Sequence, residues 1–455
     1  MTPVGREARA LVRLATPVAL TQLASMLLWT IDFLMVGRIG VTDFNAVSLG
    51  RLWVMGTVTV ALGLIFGLDP IATQAHGARD RERLGAALLH GAALALAAAL
   101  PLAALWLATE PVLLAFGQDA ATSALAARYV IVQIPALPPF LLFLVVRQYL
   151  QARGIVRPAM WIAFAALPLN VFANWLFVFG HWGAPAMGAV GAGVGTAITQ
   201  LAMLLALLAA VRRFRLQRGA RTLVHPRHLR LDELKAIARH GAPVALQLAF
   251  EYWAFAIASL WAGRLGALEL AAHSIALNLA AVAYMVPLGI SSGATTRVGN
   301  LLGAGAPAAA ERAARVALAL GGGVMLLFAA LFVAGRNVVP LAFTPEAAVV
   351  TLAATVLPIV AAFELFDGLQ VVGAGILRGM GETRPAALAN FVGYYLLGLP
   401  LGWWLGSPAR LGLAGIWWGL ALGLFAVAVA LATRVLLRGP AAAAPVVVRR
   451  GEGRA

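Results

Sequence analysis

Five carboxylates interrupt long apolar stretches of this chain: Asp32, Asp69, Glu251, Glu364 and Asp367. A charge at the centre of a bilayer costs roughly 3 kcal/mol or more, so an acid retained there needs a proton, a cation or a partner. Acids that line a cavity and exchange a proton or small cation are how a carrier draws on an ion gradient. The same acid, kept protonated and hydrogen-bonded, would only lock helix packing. Asp32, Glu251, Glu364 and Asp367 lie well inside their runs, whereas Asp69 sits near the inner end of the second. Function is expected first at Glu251 and Asp367, then at Asp32. Glu364 is one step of about 100° from Phe363 and is expected to face away from Asp367.

Neutral polar residues add a second group. Asn170 and Asn174 are four apart and stack on one helical face, with Thr196 in the next run. With Asp32 they could offer oxygen ligands to a small hard cation, or a hydrogen-bonded network around a protonated Asp32. Amide bonding between helices would use the same residues. Pro17 and Pro243 stand early in two matching runs, where each removes a backbone donor and permits bending. Tyr252, Trp253, Phe255 and Trp261 could form a wall for flat cations, although lipid-facing and interfacial positions claim most such residues. The seven histidines do not cluster at metal spacing, and no nucleophile or acid–base set stands out. His273 reads as packed and hydrogen-bonded. An enzyme is not expected, nor is a cofactor.

The elements that must position these side chains are membrane helices. Of 455 residues 62% are hydrophobic and 11% charged, against about 25% charged in a soluble domain. About twelve apolar runs are long enough to cross a hydrocarbon core, near 14–36, 46–74, 84–108, 122–146, 158–180, 187–211, 236–262, 269–296, 313–335, 347–377, 386–406 and 412–437. The formal charge of +16 does not point to nucleic acid, because the arginines fall in alternate loops. Arg79, Arg81 and Arg83, then Arg147, Arg153 and Arg157, and a central cluster from Arg212 to Arg239 share one side. The other has only Arg38, Arg51, Arg128, Arg264, Arg336 and Arg410. That asymmetry predicts both termini on the cytoplasmic side of a bacterial-type inner membrane. The first run is too long for a cleavable leader and carries Asp32. No cysteine is present, so no disulfide is expected.

The chain repeats itself. An ungapped shift of 226 residues lays Pro17-Val18-Ala19-Leu20 on Pro243-Val244-Ala245-Leu246, Gly37-Arg38 on Gly263-Arg264, and Gly63, Gly67 and Gly77 on Gly289, Gly293 and Gly303. Six runs in each half make the repeat parallel, with the halves related by a pseudo-two-fold axis along the membrane normal. The expected architecture is all-α and integral to the membrane. An N-lobe spans 1–225, a C-lobe 226–440 and a disordered tail 441–455. Two such bundles would enclose a cleft opened to either side in turn. The acids are not in register: Glu251 falls on Ser25, and Asp32 on Ala258. Ion coupling is therefore assigned chiefly to the second half.

Several of these pieces resemble the multidrug and toxic compound extrusion (MATE) family. They are Pro17 to Gly40 with Asp32, the segment Ala72-Thr73-Gln74-Ala75-His76-Gly77-Ala78, Phe250-Glu251, and Ala271-Ala272-His273 through Asn278. Pro287 and the stretch from Asp367-Gly368-Leu369-Gln370 to Leu377-Arg378-Gly379 complete the likeness. Holding both Glu251 and Asp367 is similar to the NorM-type branch. The resemblance implies a monomeric antiporter that exports organic, usually cationic, compounds in exchange for Na⁺ or H⁺, with membrane lipid as its surroundings. It also implies a C-lobe cation site at Glu251 and Asp367, where Na⁺ could bind, and an N-lobe cluster of Asp32, Asn170, Asn174 and Thr196. Phe363 stands where some members of that branch have tyrosine, and Asn174 where another branch has an acid. The alternatives are a flippase of lipid-linked precursors and a major-facilitator transporter. The basic residues lie in loops rather than a cavity, which disfavours the first. The second would need a loop motif that Gly77-Ala-Arg-Asp-Arg-Glu-Arg matches only in part.

Overall fold

The structure is a computed structural model, and it describes residues 2–216 and 229–447. All regular structure in those residues is helical. Among the described residues, twelve helices are long and apolar enough to span a bilayer. They are α1 (Pro3–Val36), α2 (Val41–Gly77), α3 (Arg81–Leu107), α4 (Ala120–Ala152), α5 (Arg157–Phe179) and α6 (Ala189–Arg213). Then follow α7 (Leu231–Leu265), α8 (Ala267–Gly303), α9 (Pro307–Gly335), α10 (Ala347–Met380), α11 (Arg384–Leu405) and α12 (Gly412–Leu437). The count matches the sequence reading. Part of the basic central connection, including Arg218, Arg221 and Arg227, lies outside the described residues.

The helices divide into two compact units whose members are not the contiguous halves expected at 1–225 and 226–440. The first unit comprises residues 20–68 and 81–241; the second comprises 1–19, 69–80 and the chain from Ala242 onward. Each unit therefore holds the opening turns of a helix whose remainder belongs to the other. The reason is close packing through glycine. In the first unit, Gly67 breaks α2 into two helical segments and lies against the Ile237 carbonyl and Gly241 of α7, so close that a Cβ there would overlap backbone. His90 reinforces this contact: one ring nitrogen meets the Ala86 carbonyl at 2.6 Å and the other accepts the Arg230 N–H at 2.9 Å. In the second unit, Gly293 of α8 lies against Leu11 and Ala15 of α1. Subtracting the repeat offset turns Ile237 into Leu11, Gly241 into Ala15 and Gly293 into Gly67. The duplication is thus visible as the same crossing made twice.

Within the second unit, α10 is tied to α8 by small residues and hydroxyls. Ser291 Oγ donates to the Val371 carbonyl at 2.7 Å and Thr295 Oγ1 to the Gly375 carbonyl at 2.7 Å. A side chain on Gly375 or Gly379 would meet the α8 backbone. Helices in a bilayer gain association energy from this close approach rather than from burying apolar surface. One end of the same unit is fastened by polar pairs. Arg297 grips Glu7 with two hydrogen bonds of 2.8 and 2.9 Å, and Arg434 meets Glu382 at 2.6 Å. Gln74 Nε2 donates to the Gly379 carbonyl at 3.1 Å. Its Oε1 accepts the Val446 and Val447 N–H groups at 2.6 and 3.2 Å. The tail expected to be disordered is therefore ordered over 441–447, because Gln74 satisfies its backbone; residues 448–455 lie outside the described residues.

Candidate functional site

Asp32, Asn170, Asn174 and Thr196 gather in the first unit, and Glu251, Glu364 and Asp367 in the second. In the first unit, Asp32 of α1 is buried and receives two short hydrogen bonds. Asn174 Nδ2 donates to Oδ1 at 2.6 Å and Thr196 Oγ1 donates to Oδ2 at 2.8 Å. Asn174 Nδ2 also lies 3.4 Å from Asn170 Oδ1, as the four-residue spacing on α5 required. The other amide oxygen, Asn174 Oδ1, is buried without a hydrogen-bond partner. Gly195 of α6 makes room for it, since a Cβ there would collide with that oxygen. Beside Thr196 is a concavity of about 30 Å³, edged by Gln133 and Gln200. That is enough for about one water. Arg51, whose guanidinium covers the Trp29 and Phe33 rings at 5.3 and 4.8 Å, acts electrostatically on Asp32. Pro17 and Pro243 lie within α1 and α7, which continue through them as helix.

In the second unit, half-buried Glu251 of α7 is held by neutral donors. Gln370 Nε2 and Asn390 Nδ2 reach its Oε2 at 3.3 and 3.4 Å, and the Tyr284 hydroxyl also bonds it. Asp367 of α10, 5% exposed, interacts electrostatically with Glu251. Neither carboxylate has an ion pair among the described residues. Gln370 Oε1 is buried without a hydrogen-bond partner, and so is the Tyr394 hydroxyl. Buried oxygen atoms left over beside two acids are a donor set that fits a hard cation or a proton. The backbone contributes to this arrangement. After Asn390, α11 runs as a π-helix over Phe391–Gly398. Asn390 and Tyr394 are both fully buried in this stretch. Such wide turns often occur at functional sites because they re-aim side chains.

One expectation needs correction. Glu364 does not face away from Asp367: the two interact electrostatically, and Glu364 is fully buried with neither carboxylate oxygen hydrogen-bonded. Residues three apart on a helix are neighbours, which outweighs the comparison with Phe363. Asp69 is paired across helices, with Arg378 Nε 3.1 Å from its Oδ2. His273 is packed and bonded as expected, with Ser259 Oγ at 2.9 Å from Nε2. Phe363 stacks edge-on against Phe255 and Trp417 and brings no oxygen to the site. Sequence reasoning did not single out Tyr284, Asn390 or Tyr394 as site residues. Asn390 and Tyr394 do carry a signal, a four-residue spacing in an apolar run, of the kind used for Asn170 and Asn174.

The model of the MatE family matches residues 17–176 and again residues 243–404. The chain belongs to the MatE family. The two matches begin at Pro17 and Pro243, one repeat offset apart, so each half carries a copy of the family's unit. Curated relatives agree over nearly the whole chain. The multidrug resistance protein NorM of Vibrio vulnificus is 34% identical over 438 residues, covering 94% of this chain and 95% of that protein. A probable multidrug resistance protein NorM of Burkholderia pseudomallei is 37% identical over 437 residues, covering 95% and 93%. Among solved structures, the eukaryotic MATE transporter AtDTX14 superposes with a TM-score of 0.89 at 26% identity, over 97% of this chain and 98% of that one. Membership of a transporter family sets aside the major-facilitator reading.

Proposed function

We propose that this MatE-family chain is a secondary active multidrug efflux antiporter of a bacterial inner membrane, exporting organic cations in exchange for Na⁺ or H⁺ by alternating access. Its relatives named multidrug resistance protein support the export of drugs. The observation that carries the ion coupling is the pairing of Glu251 with Asp367, two acids within membrane helices with amide and hydroxyl neighbours and no ion-pair partner among the described residues. Such a pair cannot stay doubly ionised in a low-dielectric interior without a compensating positive charge. An entering cation or proton supplies that charge. For Na⁺ as the transported ion, Glu251, Asp367 and Gln370 Oε1 are the oxygen donors at hand. Asp32, with Asn174 and Thr196, forms a separate polar cluster that responds to the transport cycle. Coupling requires only that the ion and the drug favour different states of the carrier. Both termini lie on the cytoplasmic side, as the loop arginines imply.

Dye efflux from everted vesicles, driven separately by Na⁺ and pH gradients, tests this. Glu251→Gln and Asp367→Asn should each abolish gradient-driven efflux, whereas Asp32→Asn should slow it without removing its ion dependence. Efflux that survives in both C-lobe variants at normal protein levels refutes the coupling site.

A further inference from the structure

The second unit has a concavity of about 330 Å³ at the C-terminal end of α7, where the α11–α12 connection folds over it. Its walls bring together Trp261, Trp403, Trp404, Arg264, Arg410 and Ser407. The Arg410 guanidinium lies 3.9 Å from the centre of the Trp404 ring, a stack that fixes the cation's plane and leaves its N–H edges free. Neither Arg264 nor Arg410 forms an ion pair among the described residues. Trp403 and Trp404 are 68% and 53% exposed. Arg264 stands at the end of α7 and Arg410 in the short connection just before α12, the depth at which lipid headgroups lie and where indole rings settle. They are also two of only six arginines on that side of the chain.

We propose that this pocket binds the phosphate headgroup of an anionic membrane lipid. Two uncompensated guanidiniums select an anion and exclude the cationic drugs assigned to the transport route. Guanidinium forks match phosphate oxygens by paired, charge-assisted hydrogen bonds. Ser407 adds a hydroxyl, and the indoles pack the glycerol and upper acyl region. Interfacial anchoring by tryptophan alone would show no preference for headgroup charge, which separates the two roles.

Native mass spectrometry of the full chain in a neutral detergent can test this, with dioleoyl phosphatidylglycerol and dioleoyl phosphatidylcholine added in equal amounts. The intact protein should retain phosphatidylglycerol at least fivefold over phosphatidylcholine. Arg264→Gln and Arg410→Gln should each lower that preference, and the double variant should remove it. Arg410→Lys, which keeps the charge and gives up the stack, should retain part of it if either glutamine variant fails to fold. Arg336→Gln, another exposed arginine on the same side, should leave it intact. Equal loss in Arg336→Gln would mean diffuse charge attraction and overturn the proposal. Persistence of the preference in the double variant would do the same. Inorganic phosphate at the lipid's concentration should not displace it; displacement would assign the pocket to a free anion instead.

Discussion

Removing Arg378 should destabilise the protein through its ion pair with Asp69. The pair is nearly dry, with side-chain exposures of 11% and 3%, and its closest N–O distance is 3.1 Å. At an effective dielectric constant of about 20, unit charges at that distance attract by about 5 kcal/mol. Mutating one partner of a buried pair typically costs about 3–5 kcal/mol, because the other charge is left uncompensated. Arg378→Met should therefore lose roughly that amount, Asp69→Asn a comparable one, and the double variant far less than the two together. Titration of the detergent-solubilised protein with sodium dodecyl sulfate, followed by tryptophan fluorescence, reads each loss. The expected coupling between the sites is at least about 2 kcal/mol. Additive losses would refute the pairing as the reason for both residues. A second result would be as damaging: an Asp69→Asn variant that folds normally yet loses only its response to the ion gradient. Asp69 would then be a carrier of protons or cations rather than a strut.

The two glycines related by the repeat should respond oppositely to the same change. Gly67→Ala must push its methyl into the Ile237 carbonyl and should lower the melting temperature in detergent, at about 1–3 kcal/mol for overpacking. Gly293→Ala meets its nearest atoms at 3.4 Å and gains helix propensity, so its melting temperature should hold or rise. At the start of α4, the Thr122 backbone N–H and hydroxyl bond the Asp119 carboxylate, which holds its pKa below the usual range. A depressed folded pKa means the contribution is complete above about pH 3.9 and fades as pH falls through the folded value. Asp119→Ala should lower the melting temperature at neutral pH and lose its difference from wild type in strong acid.

Much of the first cluster was legible because its signals are local. Asn170 and Asn174 announce a shared face by their spacing, and Asp32 is conspicuous in an apolar run. The second cluster was half legible. Glu251 and Asp367 stood out as charges, yet the amides and hydroxyls that surround Glu251 are neutral residues on three other helices. Nothing in a linear chain says that Asn390 ends up beside Glu251, and a π-helical stretch leaves no periodicity to read. Glu364 was misjudged by comparing it with an adjacent residue when its three-residue spacing to Asp367 was the relevant one. Asp69 was legible as a buried acid but not as half of a pair, since Arg378 lies on a distant helix. Twelve helices and their duplication followed from hydropathy and glycine register. The exchange of opening turns did not, because it depends on which helices cross.

That exchange dictates an order of events during synthesis. The first unit cannot close until the ribosome has made residues 231–241, well past the end of α6. Residues 1–19 and 69–80, made early, must wait in the membrane until α8 and α10 emerge to receive them. Neither half can therefore mature as a separate domain on the growing chain. A break in the central connection would leave each fragment short of a piece that only the other can supply, so the two fragments should be stable together and labile apart.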